Sequence, residues 1–332
     1  MLAMCSLAVQ ARATGFQNFG LWQSGDYRGF NIGSTSTDNM EDFRSINANI
    51  GRTFVRLTRP NGGNQFALPT DVYEVMDRKI QAARTYGFKL VVTFNPAPTF
   101  WTNAEQRASL VAVMRQFARH YAGESAFAGF DLINEPYPAR ANVPPSFDVL
   151  VAWESVASQM ITAIRQEDPT RVVIYEFPYH SLQFGAMRPL PFGGIVYSTH
   201  MYTPHDLTHQ GIGDRPFGVS YPSSATSKIG AWNKTVMQEK LAPLRAFQLK
   251  HRVPIYIGEF NCIRSAPGQS SDNYVKDAAS IFEAYGWSWT LYVFRGGLPW
   301  WDAESAHGVA GAPRSLNTNV MIYLRELLAK NP

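Results

Sequence analysis

Strand-like and helix-like stretches alternate eight times along this chain of 332 residues, and the alternation predicts an α/β fold, a (β/α)8 TIM barrel. The length suits one barrel of about 250 residues with insertions. No linker, repeat or low-complexity segment interrupts the pattern, so a single domain is expected. The predicted strands are residues 29–32, 54–57, 90–94, 130–134, 172–175, 195–199, 255–258 and 290–294.

The strands are short runs rich in apolar residues, as expected for parallel strands that are buried on both faces. The helices are predicted from the spacing of their apolar residues. In the segment 147–166, Val149, Trp153, Val156 and Met160 place one apolar stripe on a helix. Strands that alternate with helices pair in parallel through right-handed crossovers, and eight such units favour a closed barrel. The predicted helices are residues 71–86, 104–121, 147–166, 229–250, 273–285 and 317–329.

Residues 1–13 form a short apolar stretch that ends in Ala11-Arg12-Ala13, a small-x-small cleavage pattern. They are predicted to be the tail of a secretory signal peptide, so the protein is predicted to be secreted or periplasmic, with residues 14–332 as its one domain. The segment lacks a basic start, which leaves an upstream start site and a plain N-terminal extension as alternatives. Because Cys5 falls inside it, Cys262 has no partner for an internal disulfide.

The composition argues against two classes of partner. The formal net charge is only +4, and no run of lysine and arginine forms the basic stripe that nucleic acid requires. Beyond the first residues, no stretch approaches the ~20 apolar residues of a membrane helix. Neither nucleic acid nor a membrane is therefore expected as a partner.

The carboxyl ends of the predicted strands are where a barrel of this kind places its working residues. Two apolar strands end in a glutamate: Asp131-Leu132-Ile133-Asn134 leads to Glu135, and Tyr256-Ile257-Gly258 leads to Glu259. Two carboxylates that meet across one pocket are the machinery of glycosidic bond hydrolysis. Further polar and aromatic residues are predicted at strand ends: Arg56, Arg59, Asn95, Asn134, Glu176, His200, Tyr202 and Phe294.

Particular neighbours suggest how the two glutamates are held. Pro136 turns the chain away after Glu135 and fixes it at the barrel rim. Arg56 is unusual inside an apolar run, and a buried guanidinium needs a carboxylate partner, so Arg56 is predicted to pair with Glu259 and keep it ionised. His200 and Tyr202 lie two residues apart on a strand and share one face.

With these residues in place, the chain resembles glycoside hydrolase family 5, the cellulase-like retaining enzymes, from about residue 28 to residue 296. The resemblance depends on Asn134-Glu135-Pro136, Gly258-Glu259-Phe260, Arg56 and the step from His200 to Tyr202. It implies that Glu135 is the general acid/base and Glu259 the nucleophile. It also implies that Arg56 and Tyr202 hold the nucleophile, while Asn134 and His200 bind the sugar.

The chain departs from the family pattern at two strand ends. Many relatives have a histidine where this chain has Asn95, and a tryptophan platform where it has Phe294. Aromatic residues elsewhere are predicted to stack on sugars, with Trp101, Trp300 and Trp301 the candidates for substrate binding. Trp22 and Trp232 are also expected near the barrel mouth.

These patterns together predict a monomeric retaining endo-β-glycosidase that acts on an oligo- or polysaccharide, a β-linked glucan in the first place. A β-mannanase, an exo-acting β-glucosidase or a transglycosylase of the same family remain alternatives. A catalytically silent carbohydrate-binding barrel is the non-enzyme alternative. No cofactor is expected, and no metal, because the sequence shows no cluster of His and Cys with metal-ligand spacing.

Overall fold

The computed structural model describes residues 15–33, 40–138, 147–178, 188–296, 298–306, 308 and 313–332. The predicted signal peptide, residues 1–13, lies outside this part of the chain. Eight strands form a closed barrel in sequence order, and each pairs with its neighbour in parallel. The strands are β1 Arg28–Ile32, β2 Ile50–Arg56, β3 Lys89–Asn95, β4 Phe127–Asp131, β5 Val173–Glu176, β6 Ile195–Met201, β7 Ile255–Phe260 and β8 Ser288–Phe294. The predicted fold class is confirmed.

Two strands differ from the prediction in ways that matter for the site. Strand β2 begins at Ile50, well before the predicted start at residue 54, because Arg52 and Thr53 interrupt the apolar run and conceal the beginning of the strand. Strand β4 ends at Asp131 rather than at Asn134. The chain beyond β4 still follows the barrel, since the Asn134 amide donates to Phe94 O at 2.9 Å.

Three of the described helices follow a residue whose side chain accepts a backbone amide from the first turn. Asn103 accepts from the amide of Gln106, and Thr318 accepts from that of Met321. Asn233 accepts from the amide of Val236, so the helix predicted from residue 229 begins later. The helices are Phe19–Ser24, Glu41–Ser45, Val72–Tyr86, Ala104–His120, Phe147–Glu167, His205–Thr208, Lys234–His251, Ser270–Tyr285 and Asn319–Leu328. No helix in the described ranges has both the length and the apolar character needed to cross a bilayer.

The amino ends of the strands are sealed by an apolar cluster. Trp22, from the short N-terminal helix, is fully buried there against Tyr27 and Tyr256, and its indole N–H donates to Ala128 O at 3.0 Å. The expectation that Trp22 lies near the mouth is therefore wrong. A larger apolar core fills the space between the strands and the surrounding helices. With the amino end sealed in this way, a ligand has access to the barrel from its carboxyl end.

Candidate active site

Glu135 lies just beyond β4, in a conformation that is unusual for a residue with a side chain. Its φ of 46° falls in the left-handed region, which disfavours residues other than glycine. The Glu135 amide donates to Glu176 Oε2 at 2.9 Å, so the backbone here is held by a carboxylate from β5. The Glu135 side chain is 15% exposed, which leaves its carboxyl accessible at the mouth of the barrel. Strained conformations of this kind cluster at functional sites.

Glu259 lies within β7, and both of its carboxylate oxygens accept hydrogen bonds. Arg52 Nη1 donates to Oε1 at 2.7 Å, and the Tyr202 hydroxyl donates to Oε2 at 3.0 Å. The preceding Gly258 leaves space for His200, since a Cβ there would lie 2.9 Å from His200 Nε2. Two donors, one in β2 and one just after β6, therefore fix the orientation of the Glu259 carboxylate.

His200 lies between the two glutamates. Its Nδ1 donates to Glu135 Oε1 at 3.0 Å and lies 3.8 Å from Glu259 Oε2. Its Nε2 lies 3.2 Å from Glu176 Oε1 without the alignment of a hydrogen bond. Burial by itself lowers the pKa of His200, but the carboxylates of Glu176, Glu259 and Glu135 outweigh burial and raise it to about 10. The imidazole is therefore a cation at neutral pH.

Arg52, and not Arg56, is the guanidinium of the site. Arg52 is fully buried in β2 and contacts the carboxylates of Glu259, Asp131 and Glu176 at 2.7, 2.8 and 2.8 Å. Arg56 is exposed, so the prediction that it pairs with Glu259 is wrong. The two arginines share one face of the strand because they are four residues apart, which separates them by about 13 Å along it.

Burial and charge act against each other on the carboxylates around Arg52. Burial raises the pKa of Glu259, although the cations His200 and Arg52 oppose that rise. Burial and the negative charge of Glu176 raise the pKa of Asp131 well above its ordinary value. For Glu176 burial is outweighed by His200 and Arg52, and its pKa is lowered. The pKa values of Asp131 and Glu176 are therefore shifted in opposite directions, and Glu176 is the more readily ionised of the two.

Asn134 contacts the same guanidinium, since its Oδ1 accepts from Arg52 Nη2 at 2.9 Å. Because the oxygen is used in this way, the amide nitrogen of Asn134 is available as a donor to a ligand. Asn95 is half-buried at the end of β3, opposite Arg56 in the ladder between β2 and β3. Asn134 thus belongs to the hydrogen-bonded centre, and Asn95 lies at its rim.

Tyr292, which the sequence analysis did not assign to the site, is the aromatic residue of β8 at the mouth. It is half-buried, and burial followed by the negative charges of Glu259 and Glu135 raises its pKa to about 12. Phe294 is instead buried in the outer core, with its ring centroid 4.9 Å from that of Phe43. The prediction that Phe294 faces the sugar is wrong. Phe30 pairs with Leu291 and Ile32 pairs with Phe294, so two steps along β1 correspond to three steps along β8. The extra residue in β8 moves Phe294 to the outer face.

The predicted tryptophans divide into exposed and buried residues. Trp300 is 36% exposed, whereas its neighbour Trp301 is 5% exposed and packs against Tyr202, with ring centroids 5.6 Å apart. Trp101 is half-buried and packs against Trp153 at 6.0 Å. Trp232 is buried in the main core. Trp300 is therefore the predicted tryptophan with the largest described surface for a ligand.

Three groups in the site have the chemistry of metal ligands. One ligand atom from each of Glu135, His200 and Glu259 lies within 4.8 Å of the other two. A metal ion binds only to a deprotonated imidazole, and the pKa of His200, about 10, opposes its deprotonation at neutral pH. The donor set therefore suits proton transfer and charge stabilisation better than metal binding.

A parallel barrel with two facing glutamates and a histidine at the carboxyl ends of its strands, above a buried arginine, defines the class, a barrel glycoside hydrolase. Residues 10–296 match the family Cellulase (glycosyl hydrolase family 5), and the chain belongs to this family. The resemblance stated from the sequence is thereby confirmed.

Known relatives of this chain are named as endoglucanases. Endoglucanase 3 of Fibrobacter succinogenes is 22% identical over 326 residues, which cover 84% of this chain and 49% of that protein. Endoglucanase C of Acetivibrio thermocellus is 24% identical over 251 residues, which cover 65% of this chain and 70% of that protein. The chain thus spans about half the length of the first of these relatives.

A solved structure supports the fold. Endoglucanase Cel5A from Thermotoga maritima matches with a TM-score of 0.74 at 19% sequence identity, over 93% of this chain and 99% of that one. At this identity the likeness establishes the barrel. The chemistry of this chain depends on its own residues.

Proposed function

We propose that the protein is a retaining endo-β-glycosidase that hydrolyses a β-linked glucan by double displacement, with Glu259 as nucleophile and Glu135 as general acid/base. The observation that carries the proposal is the approach of the two glutamates around His200, with one oxygen of each within 4.8 Å of the other. Retaining enzymes hold their carboxyl groups ~5–5.5 Å apart, and inverting enzymes ~6.5–9.5 Å apart. The short separation favours retention.

In the first step Glu259 attacks the anomeric carbon while Glu135 gives its proton to the leaving oxygen. Arg52 and Tyr202 hold the two oxygens of Glu259 at 2.7 and 3.0 Å, which limits rotation of the nucleophile. Glu135 becomes anionic beside the His200 cation, with Nδ1 at 3.0 Å from its Oε1. The imidazolium therefore stabilises Glu135 in the charge state that follows proton donation.

In the second step water attacks the glycosyl-enzyme, and the anionic Glu135 removes a proton from it. The Asn134 amide nitrogen is directed away from Arg52, because the oxygen of that amide accepts from Arg52 at 2.9 Å. It is placed to donate to the sugar 2-hydroxyl, a contact that strengthens in the transition state. Tyr292 supplies the aromatic face beside both glutamates.

The test separates the two roles by rescue with azide. Glu135→Ala should retain the first step on aryl glycosides with good leaving groups, and azide should restore turnover and give a β-glycosyl azide. Glu259→Ala should lose all activity, and azide should restore it only by displacement from the opposite face, giving an α-glycosyl azide. The same azide anomer from both variants would show that the roles are misassigned.

Proton NMR of the first-formed product tests retention directly. The β anomer should appear before mutarotation, and an α anomer first would contradict double displacement. A panel of cello-, manno-, xylo- and β-1,3-gluco-oligosaccharides then identifies the substrate. The endoglucanase relatives favour the cello-oligosaccharides, with release of internal fragments. Preferential cleavage of manno-oligosaccharides would favour the mannanase alternative, and release of single glucose units the exo-acting one.

We also propose that the protein is exported, because residues 1–13 end in a small-x-small pattern and a polysaccharide substrate lies outside the cell. Mass spectrometry of the protein recovered from its native cells should show a chain that begins at Thr14. An intact N-terminus on protein found only in the cytoplasm would contradict export.

A further inference from the structure

A buried carboxylate at the end of β5 has no assigned task in the double displacement. Glu176 is 1% exposed, so it does not touch a substrate in the mouth of the barrel. We propose that Glu176 is a positioning residue that couples the acid/base to the nucleophile, through the backbone of Glu135 and the cations Arg52 and His200. This inference rests on the proposed roles of Glu135 and Glu259.

The first contact of Glu176 fixes the acid/base. Its Oε2 accepts the Glu135 amide at 2.9 Å, at the residue whose φ of 46° disfavours any side chain. Because Glu176 accepts this amide, it fixes the backbone of Glu135 and with it the position of the Glu135 carboxyl at the mouth of the barrel.

The second contact reaches the nucleophile through one guanidinium. Glu176 Oε1 accepts from Arg52 Nη2 at 2.8 Å, and Nη1 of the same group donates to Glu259 Oε1 at 2.7 Å. The His200 Nε2 lies 3.2 Å from Glu176 Oε1, on the side of the ring opposite the Nδ1 that donates to Glu135. One carboxylate therefore contacts both groups that bridge to the glutamate pair.

Glu176 is itself held in place. The indole of Trp153 donates to its backbone oxygen at 2.9 Å, and β5 pairs with β6 so that Glu176 lies opposite Ser198. The raised pKa of Asp131 and the lowered pKa of Glu176 make Glu176 the more readily ionised of these two neighbouring carboxyls. The titratable and charged groups that face it are Arg52, Asp131, Glu135, His200, Tyr256 and Glu259.

The test compares Glu176→Gln with Glu176→Asp. Glutamine keeps the size and removes the charge, and it offers one acceptor where Arg52 and the Glu135 amide need two. We expect kcat on an aryl β-glycoside to fall about 10- to 100-fold, with a smaller change in KM. Removing the anion takes a negative charge away from His200 and from the acid/base, so the alkaline limb of the pH profile should move toward acid. Glu176→Asp keeps the negative charge on a shorter side chain. It should therefore lower kcat and leave the alkaline limb near its original position.

Asp168→Asn is the matched control. Asp168 is 3% exposed and lies in the turn that precedes β5, where it accepts from Arg171 at 2.8 Å and from the Gly123 amide at 3.1 Å. Its partners are of the same kind as those of Glu176, but they lie at the opposite end of the barrel. The control variant should lose thermal stability and keep the pH profile.

A second readout needs no substrate. The His200 imidazole should titrate at a lower pH in Glu176→Gln than in the parent protein, by NMR of labelled histidine. If the parent protein cleaves no glycoside, the proposed function fails, and this titration still tests the coupling. An unchanged alkaline limb and His200 titration in Glu176→Gln, or equal shifts in Asp168→Asn, would overturn the proposal. Should Glu176→Gln not fold, an unchanged kcat in Glu176→Asp would overturn it as well.

Discussion

Replacing Arg52 with methionine removes the central cation of the site and keeps a side chain of similar length. Arg52 has no exposed surface and contacts the carboxylates of Asp131, Glu176 and Glu259 within 2.8 Å. Methionine makes none of these hydrogen bonds. The matched change is Arg56→Met, on the same face of β2, where the arginine is exposed.

The magnitude follows from the burial of the partners. Removing one member of a buried ion pair costs about 3–5 kcal/mol, because the other charge stays buried without compensation. Asp131, Glu176 and Glu259 all contact the guanidinium, so they are the groups left with that penalty. Arg52→Met should therefore lower the unfolding free energy by about 4 kcal/mol and the Tm by about 6 °C. Arg56→Met should stay within about 0.5 kcal/mol of the parent protein, as surface changes do.

The assay is thermal and urea unfolding together with kcat on an aryl β-glycoside. In Arg52→Met the nucleophile loses its strongest contact, so kcat should fall by at least about 100-fold at a temperature where the variant is folded. Arg52→Lys, which keeps the charge and loses the planar fork, should unfold at a higher temperature than Arg52→Met and remain impaired in kcat. Equal stability of Arg52→Met and Arg56→Met would refute the assignment of the buried cation.

Three further predictions concern the aromatic residues and the histidine. Tyr292→Ala should lower kcat/KM with little loss of stability. Phe294→Ala should lower the unfolding free energy by about 3–5 kcal/mol and leave KM unchanged. Calorimetry and kinetics on both variants test the difference. Trp300→Ala should raise KM for long oligosaccharides and spare short aryl glycosides, while Trp301→Ala should lower stability; equal KM values for long substrates in Trp300→Ala and the parent would contradict a binding role. The raised pKa of His200 contributes stability that is complete below its ordinary value of 6.5 and is lost as pH rises through about 10. The urea midpoint of unfolding should therefore fall across that pH interval, and it should fall less in His200→Asn.

The sequence by itself determined the barrel and the placement of the glutamate pair. Short apolar runs that alternate with amphipathic segments permit few folds, and a barrel brings the carboxyl ends of its strands to one mouth. Glu135 and Glu259 end two of these runs, so their meeting follows from topology. His200 and Tyr202 follow for the same reason, since a spacing of two residues keeps side chains on one face of a strand.

Only the tertiary structure decided how deep each side chain lies and which face it takes. Arg52 was missed because a polar residue inside a barrel looks like an interruption in an apolar pattern, and its burial depends on carboxylates from three other strands. Tyr292, and not Phe294, lies at the mouth because the ladder between β1 and β8 shifts register. A regular alternation of strand faces does not anticipate such a shift. Glu176 was visible as a strand end, but its contacts with Arg52 and the Glu135 amide arise between segments far apart in the chain. Register and long-range pairing are properties of the closed barrel, and local patterns of residues do not encode them.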